Sequence, residues 1–478
     1  MNNSNYSSPS GEVGRGAADL IIIGAGPGGY ETAVRAAKAG LQVVVIEKEH
    51  LGGTCLNAGC IPTKCLCHSA EDLPPSLSQG RGEEASSYLA EAIARKNEVV
   101  EKLKAGVAQL MKTPGITLVE GEARFNLSPA LSKGEGEELH MVEVNTQSSI
   151  LNFQSKNIII ATGSVTKFLP IPGTHAEGVL TSTEMLNLTT LPQRLTIIGG
   201  GVIGLEFASI FQAMGSQVTV IEFCKEVLPL FDRDLAKRLR TSLKKRGIEF
   251  HTSAAAKEIH EGTPLVVDFE EKGKLQSVEA DVVLMAVGRA ANLNSLNLAD
   301  VGIETTPRGI VVDEHMQTNV PGIYAIGDVN GLIQLAHAAS AQGRVALAHI
   351  MSKTNPSPFT PNPSPLIIPS AVFTVPEAAM VGKTEEQLEK AGIEYQTHKS
   401  MYRANGKALA MEAEDGLVKI LTDNEGKILG CHILGAHASD LIHEATLAMR
   451  LGATIHDIAD TVHAHPSLSE ILLAAAEA

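Results

Sequence analysis

The 478-residue sequence predicts an α/β chain with two doubly wound parallel-sheet domains followed by a C-terminal α+β domain. Three observations predict it. A glycine-rich strand–turn–helix–strand unit occurs twice, an acid closes each copy at the same distance, and a proline-dense stretch precedes a final segment of mixed strands and helices. The length exceeds what one hydrophobic core holds, so roughly two to four domains are expected.

Taken in order, residues 1–18 are polar, with Arg15 as their one arginine, and read as a disordered lead-in without the features of a secretory or transit segment. Leu20–Ile23 is an apolar run ending in Gly24-Ala25-Gly26-Pro27-Gly28-Gly29, and Leu195–Ile198 is another, ending in Gly199-Gly200-Gly201-Val202-Ile203-Gly204. Helical periodicity follows each turn, over Tyr30–Ala39 and Leu205–Met214. A β-branched run then ends in an acid, Val43–Ile46 in Glu47 and Val218–Ile221 in Glu222. From first glycine to acid the distance is 23 residues in both copies. This is the dinucleotide-binding, Rossmann-like fingerprint. The first glycine (Gly24, Gly199) makes the turn, the second (Gly26, Gly201) lets backbone approach a pyrophosphate, and the third (Gly29, Gly204) lets helix and strand pack. The acid reaches a ribose hydroxyl. Glu222 would repel a 2′-phosphate and so favour NAD over NADP, while Glu47 suits the adenosine ribose of FAD equally well.

Three further strands run into small residues: Asn157–Ile160 into Gly163, Asp281–Ala286 into Gly288, and Gly322–Ile326 into Gly327-Asp328. Ligands in open α/β sheets lie beyond such strand ends. Asp328 could bind a hydroxylated chain or cap a helix. Leu73–Ser87 reads as a loop and Ala90–Met111 as an amphipathic helix. Six prolines between 355 and 369 mark a stiff linker or strap, and the rest reads as a separate domain.

The net charge of -15 argues against a nucleic-acid partner, and no apolar run approaches the roughly 18 residues that span a bilayer. A soluble cytoplasmic enzyme is expected. Six cysteines are no secreted framework, yet four fall between Cys55 and Cys67. The Cys55-x4-Cys60 spacing lets two sulfurs meet if Cys55 sits at or before a helix start, where a thiolate is favoured; this suggests reversible redox. Zinc or iron–sulfur ligation by this cluster with His68 is the rival, but the paired short knuckles are missing and no metal is assigned. Cys65 and Cys67 read as packing residues, Cys224 and Cys431 as buried small hydrophobes. His463-Ala464-His465-Pro466-Ser467-Leu468-Ser469-Glu470 offers a base, His465, and an acid that could orient it, Glu470; taken alone it also reads as a His-Pro turn before a helix.

These motifs together resemble the class I pyridine nucleotide–disulfide oxidoreductases, and within them the dihydrolipoamide dehydrogenase branch, from about residue 19 onward. The resemblance rests on Gly52-Gly53-Thr54-Cys55 to Cys60-Ile61-Pro62-Thr63-Lys64, Thr318–Asp328, Ala371–Gly382 and His465–Glu470. It implies a redox disulfide in which Cys55 is the interchange thiol and Cys60 the charge-transfer thiolate against the flavin. It implies FAD contacts at Gly24, Gly26, Gly29, Glu47, Gly53, Thr54, Lys64, Gly163, Asp328 and Ala336, with Lys64 paired to Glu206, and NAD contacts at Gly199, Gly201, Gly204, Glu222 and Gly288. The implied domains are FAD-binding (19–163), NAD-binding (164–289), a central part completing the FAD domain (290–354), the linker (355–369) and a dimerisation domain (370–478). His465 would reach the partner's site in a homodimer. The substrate would be dihydrolipoyl groups on lipoyl domains of 2-oxo-acid dehydrogenase or glycine-cleavage complexes. Glutathione-type reductases carry basic residues where Glu222 and Phe223 stand, and mercuric reductases end in a cysteine pair that this chain lacks. Another disulfide reductase of the family is the second reading, and a non-enzymatic dinucleotide- or metal-binding subunit the third.

Overall fold

The computed structural model describes residues 18–73, 83–126, 139–354 and 366–478. The chain divides into two units, each drawn from three stretches: 1–57, 100–165 and 289–364 in the first, 58–99, 166–288 and 365–478 in the second.

The first unit is built on a five-stranded parallel sheet in the order Ile323–Ala325, Ile158–Ile160, Leu20–Ile23, Val43–Glu47, Ile116–Glu120. Leu20, Ile21 and Ile22 are fully buried, as are Ile158, Ile159 and Ile160. That is why these strands read as unbroken apolar runs: a parallel sheet is covered on both faces. The helix Pro27–Lys38 covers one face and packs against the helix Ala336–Thr354. Gly28 allows that contact, since a Cβ there would lie 3.1 Å from the Ala339 side chain. A three-stranded antiparallel meander (Glu122–Phe125, His140–Asn145, Ile150–Ser155) precedes Ile158–Ile160.

The second unit repeats this plan. Its parallel sheet has the order Glu249–Thr252, Gln217–Glu222, Arg194–Ile198, Val282–Met285, Val179–Leu180, and a meander (Ala254–His260, Leu265–Glu271, Lys274–Ala280) again sits before the fourth strand of the motif. The copies differ between second and third strands. The second copy has one helix there, Arg233–Lys245, whereas the first has the long insertion that carries Cys55 and Cys60. A further five-stranded sheet is wholly antiparallel, Ser370–Val372, Ala378–Gly382, Ile428–Leu434, Leu417–Thr422, Gln396–Met401, with the helices Ala438–Leu451 and Glu470–Ala476 against it. Asp232 caps the helix Arg233–Lys245, accepting the Asp234 and Leu235 amides, and pairs with Lys419; both side chains are fully buried. Lys419 also meets Glu385 at 2.8 Å. Removing one partner would leave a buried charge, a loss of about 3–5 kcal/mol.

The predicted fold class is present, with adjusted limits. The first motif helix starts at Pro27 and the second at Val202, each three residues before the expected Tyr30 and Leu205, because the last glycines of the turn are themselves helical. The helix expected over 90–111 spans Glu83–Leu110, so residues 83–87 are helical rather than loop. Residues 74–82 of the expected loop, and 355–365 of the proline-rich stretch, lie outside the described residues. Among the described residues no helix is long and apolar enough to cross a membrane.

Candidate active site

The two glycine turns are alike atom for atom. A Cβ on Gly24 would lie 2.4 Å from the Ala161 carbonyl oxygen, and one on Gly29 would lie 1.9 Å from that of Gly24. In the second copy the corresponding distances are 2.3 Å from Gly199 to the Ala286 oxygen and 2.0 Å from Gly204 to the Gly199 oxygen. The outer glycines are therefore required by the fold. The middle ones are not. A Cβ on Gly26 would meet only the Gly53 Cα, at 3.9 Å, and one on Gly201 nothing within 4 Å among the described residues. Both middle glycines are helix N-caps without a side-chain cap, so the first amides of each helix stay unmasked by side chains. Bare backbone over a helix N-terminus fits a dinucleotide pyrophosphate, and both turns pass that test.

The two acids also match. Glu47 accepts the Ala25 amide on Oε2 (2.7 Å) and the Glu49 and His50 amides on Oε1 (2.8 and 3.2 Å). Glu222 accepts the Gly200 amide on Oε2 and the Cys224 amide on Oε1, both at 2.6 Å. Each carboxylate thus ties its strand end to its glycine turn, a role that spacing alone had not suggested. Cys224, read as buried, is half-buried instead; burial and the neighbouring Glu222 raise its thiol pKa.

Gly53 brings a further backbone stretch to the first turn: a Cβ there would lie 2.8 Å from the Gly26 Cα. Thr54 follows it, exposed. Asp328 stands in a short 3-10 turn, Gly327–Asn330, beyond Ile323–Ala325, and its Oδ2 accepts the Ser164 hydroxyl. Ala336 opens the helix that packs on Pro27–Lys38. Gly163 and Gly288 both face space in which a Cβ would meet nothing within 4 Å among the described residues.

Cys55 lies inside a short helix, Gly53–Ala58, and Cys60 opens the next one, Cys60–Glu71. Cys55 thus stands before the start of the Cys60–Glu71 helix, one of the two placements that the spacing allows. The chain breaks at Gly59, so the helix N-terminus that favours a thiolate belongs to Cys60. Cys67, on the same helix, is buried, and burial pushes its thiol far up; Cys65 is half-buried. Lys64 places Nζ 2.9 and 2.8 Å from the two oxygens of Glu206, which is nearly wholly buried. Burial works to lower Lys64, but Glu206 outweighs it and holds the ammonium above its ordinary range. Phe373, which lies in the Ala371–Gly382 motif but had no role assigned from sequence, donates its amide to Glu206 Oε1 at 3.0 Å and sets its ring 4.5 Å from Lys64 Nζ.

The two C-terminal histidines separate cleanly. The His463 ring is buried, with Nδ1 on the Thr461 carbonyl (2.8 Å) and Nε2 on Glu444 (2.9 Å). The His465 side chain is 80% exposed, with Nδ1 2.9 Å from Glu470 Oε1. Glu470 Oε2 accepts the Ser467 amide at 2.8 Å; this bond, then His465, holds the carboxyl below the usual carboxylate range. Of these two, His465 presents its ring to an incoming group.

Two dinucleotide turns and a C-x4-C motif in one chain define a nicotinamide-linked disulfide oxidoreductase. Family comparison agrees: residues 18–343 match the pyridine nucleotide-disulphide oxidoreductase model and residues 368–476 its dimerisation domain. The chain belongs to that family. It is 41% identical over 468 residues to a dihydrolipoyl dehydrogenase of Bacillus subtilis, covering 96% of each chain. Among solved structures it is similar to the HOCl-induced flavoprotein disulfide reductase RclA from Escherichia coli, in its Cu(II) complex (TM-score 0.83, 31% identity, 97% of this chain and 99% of that one). It is also similar to LpdA from Mycobacterium tuberculosis (TM-score 0.84, 28% identity, 97% and 99%).

Proposed function

We propose that this chain is an FAD-dependent dihydrolipoamide dehydrogenase, oxidising dihydrolipoyl groups to lipoyl groups with NAD as acceptor. One observation carries the reading: a dinucleotide turn occurs twice in a chain that also carries Cys55, Cys60 and an exposed, carboxylate-oriented histidine. The B. subtilis relative's name supports the substrate.

Gly24, Gly26, Gly29, Glu47, Gly53, Thr54, Lys64, Gly163, Asp328 and Ala336 hold FAD, with Glu206 anchoring Lys64, in a domain of residues 19–163 completed by 290–354. Gly199, Gly201, Gly204, Glu222 and Gly288 hold NAD, in a domain of residues 164–289. FAD, when bound, carries an electron pair from the reduced cysteines to NAD. The remaining chemistry belongs to the side chains. His465 donates Nδ1–H to Glu470, which leaves the Nε2 lone pair to take a proton from a substrate thiol. The resulting thiolate attacks Cys55 Sγ, the Cys55–Cys60 bond breaks, and Cys60 leaves as a thiolate. The second substrate thiolate then displaces Cys55 from the mixed disulfide, closing the lipoyl ring and leaving two electrons on the cysteine pair. The high exposure of His465, with Val462 at 97% and Leu451 at 74%, supports a homodimer through residues 370–478 in which His465 serves the partner's cysteines. The enzyme acts in the cytoplasm on lipoyl domains of 2-oxo-acid dehydrogenase or glycine-cleavage complexes.

The likeness to RclA favours a second reading, reduction of another disulfide. One assay separates the two. Mixed with NAD and dihydrolipoamide, the purified FAD-loaded protein should form NADH rapidly, with NADP far poorer. A yellow, dimeric protein without turnover would move the substrate to another disulfide.

A further inference from the structure

Asp328, Ser164 and Arg289 are far apart in sequence and form one chain of hydrogen bonds in the first unit. Arg289 grips Ser164 at two points: Nε donates to the Ser164 hydroxyl oxygen at 2.7 Å, and Nη2 donates to the Ser164 carbonyl at 2.6 Å. A guanidinium has donors only, so the Ser164 oxygen must act as acceptor in that bond. The single hydroxyl proton is then left for Oδ2 of Asp328, the acceptor it faces. The direction is fixed along the whole relay: arginine to serine to aspartate. Fork geometry matters here, because the guanidinium holds Ser164 by backbone and side chain at once and prevents the hydroxyl from rotating away.

Ser164 immediately follows Gly163, which faces open space, and Arg289 follows Gly288, which does too. Asp328 follows Gly327, whose amide is held by Gln342 Oε1 at 2.7 Å. Both neighbours of Asp328 in the relay therefore stand next to strand-end glycines where a ligand has room. We infer that Ser164 and Arg289 are positioning residues for FAD: by fixing the Asp328 carboxylate, they hold it in the orientation that accepts a hydroxyl of the cofactor's chain. The inference rests on the FAD reading of Asp328 and adds two residues to it.

The test is FAD affinity, measured by recovery of flavin fluorescence quenching on apo-protein, for Ser164→Ala, Ser164→Thr, Asp328→Asn and the Ser164→Ala/Asp328→Asn double variant. Loss of one charge-assisted hydrogen bond should weaken FAD binding by Ser164→Ala about tenfold. Ser164→Thr keeps the hydroxyl and should stay within about threefold of wild type. The double variant should bind FAD no more weakly than Asp328→Asn alone, within about twofold, because Ser164 acts through Asp328. A merely structural serine would give additive losses and would lower the NAD affinity of the second unit as well. Additive losses, or wild-type affinity in Ser164→Ala alongside an impaired Asp328→Asn, overturn the inference while leaving the FAD reading intact. Wild-type affinity in Asp328→Asn overturns the FAD reading of Asp328 itself.

Discussion

The second glycine turn gives the sharpest contrast between what the fold needs and what a ligand needs. Consider Gly204→Ala and Gly201→Ala. At Gly204 the added Cβ would stand 2.0 Å from the Gly199 carbonyl oxygen, and backbone cannot swing aside as a side chain can. Helix and strand must move apart by more than an ångström. Overpacking of this kind costs about 1–3 kcal/mol, offset by about 1 kcal/mol of helix propensity. For a domain of this size a net loss of up to about 2 kcal/mol should lower Tm by up to roughly 8 °C. At Gly201 the backbone is extended (φ -79°, ψ -172°), which alanine adopts, and the new methyl meets no protein atom within 4 Å among the described residues. Its Tm should stay within about 2 °C of wild type. On the NAD reading of this turn, the methyl instead occupies the space through which a pyrophosphate would reach the helix amides. Forfeiting one charge-assisted hydrogen bond weakens NAD binding roughly ten- to hundredfold. Calorimetric melting with FAD in excess and titration with NAD give both numbers for both variants. If Gly201→Ala lowers Tm as much as Gly204→Ala, or binds NAD within about twofold of wild type, the division of labour among these glycines is refuted.

Cys55→Ser should abolish dihydrolipoamide turnover, by about a thousandfold or more, and leave FAD bound; near-normal NADH production would refute the interchange role. Glu222→Ala should weaken NAD about tenfold and narrow its preference over NADP, read from kcat/KM with each nucleotide; unchanged discrimination would mean that Glu222 only braces the turn. Burial lowers the pKa of His432 to about 4, so the fold holds the neutral ring. The unfolded histidine takes a proton below about 6.5 and the folded one only below about 4, so stability is full above the first value and falls as pH drops toward the second. The span corresponds to about 3 kcal/mol. Urea midpoints between pH 7.5 and 4.5 should show this slope in wild type and a flatter one in His432→Asn; parallel slopes would refute it.

Local pattern carried the parts of the site that are local. The glycine turns and closing acids were legible because strand, turn, helix and acid occupy one short stretch, and it recurs. The meander Ala254–His260, Leu265–Glu271, Lys274–Ala280 was not, since its last strand is almost entirely exposed and shows no apolar alternation. The Cys55-x4-Cys60 spacing leaves open whether Cys55 stands at or before a helix start, because it does not reveal the break at Gly59 between the helices Gly53–Ala58 and Cys60–Glu71. Lys64 and Glu206 are 142 residues apart and were paired only through family resemblance. Ser164 lies 125 residues from Arg289 and 164 from Asp328, distances at which no periodicity operates.

The strand-end carboxylates have one more consequence. Glu47 and Glu222 hold the amides of their own loops, so protein groups brace the shape of each loop. Ordering a loop residue costs roughly 1–2 kcal/mol of backbone entropy, and here folding bears that cost rather than binding. Nicotinamide exchange should then need no loop closure on entry or reopening on exit. Its dwell time would be set by the few contacts broken on leaving. That suits an enzyme whose nicotinamide dinucleotide must leave on every turnover.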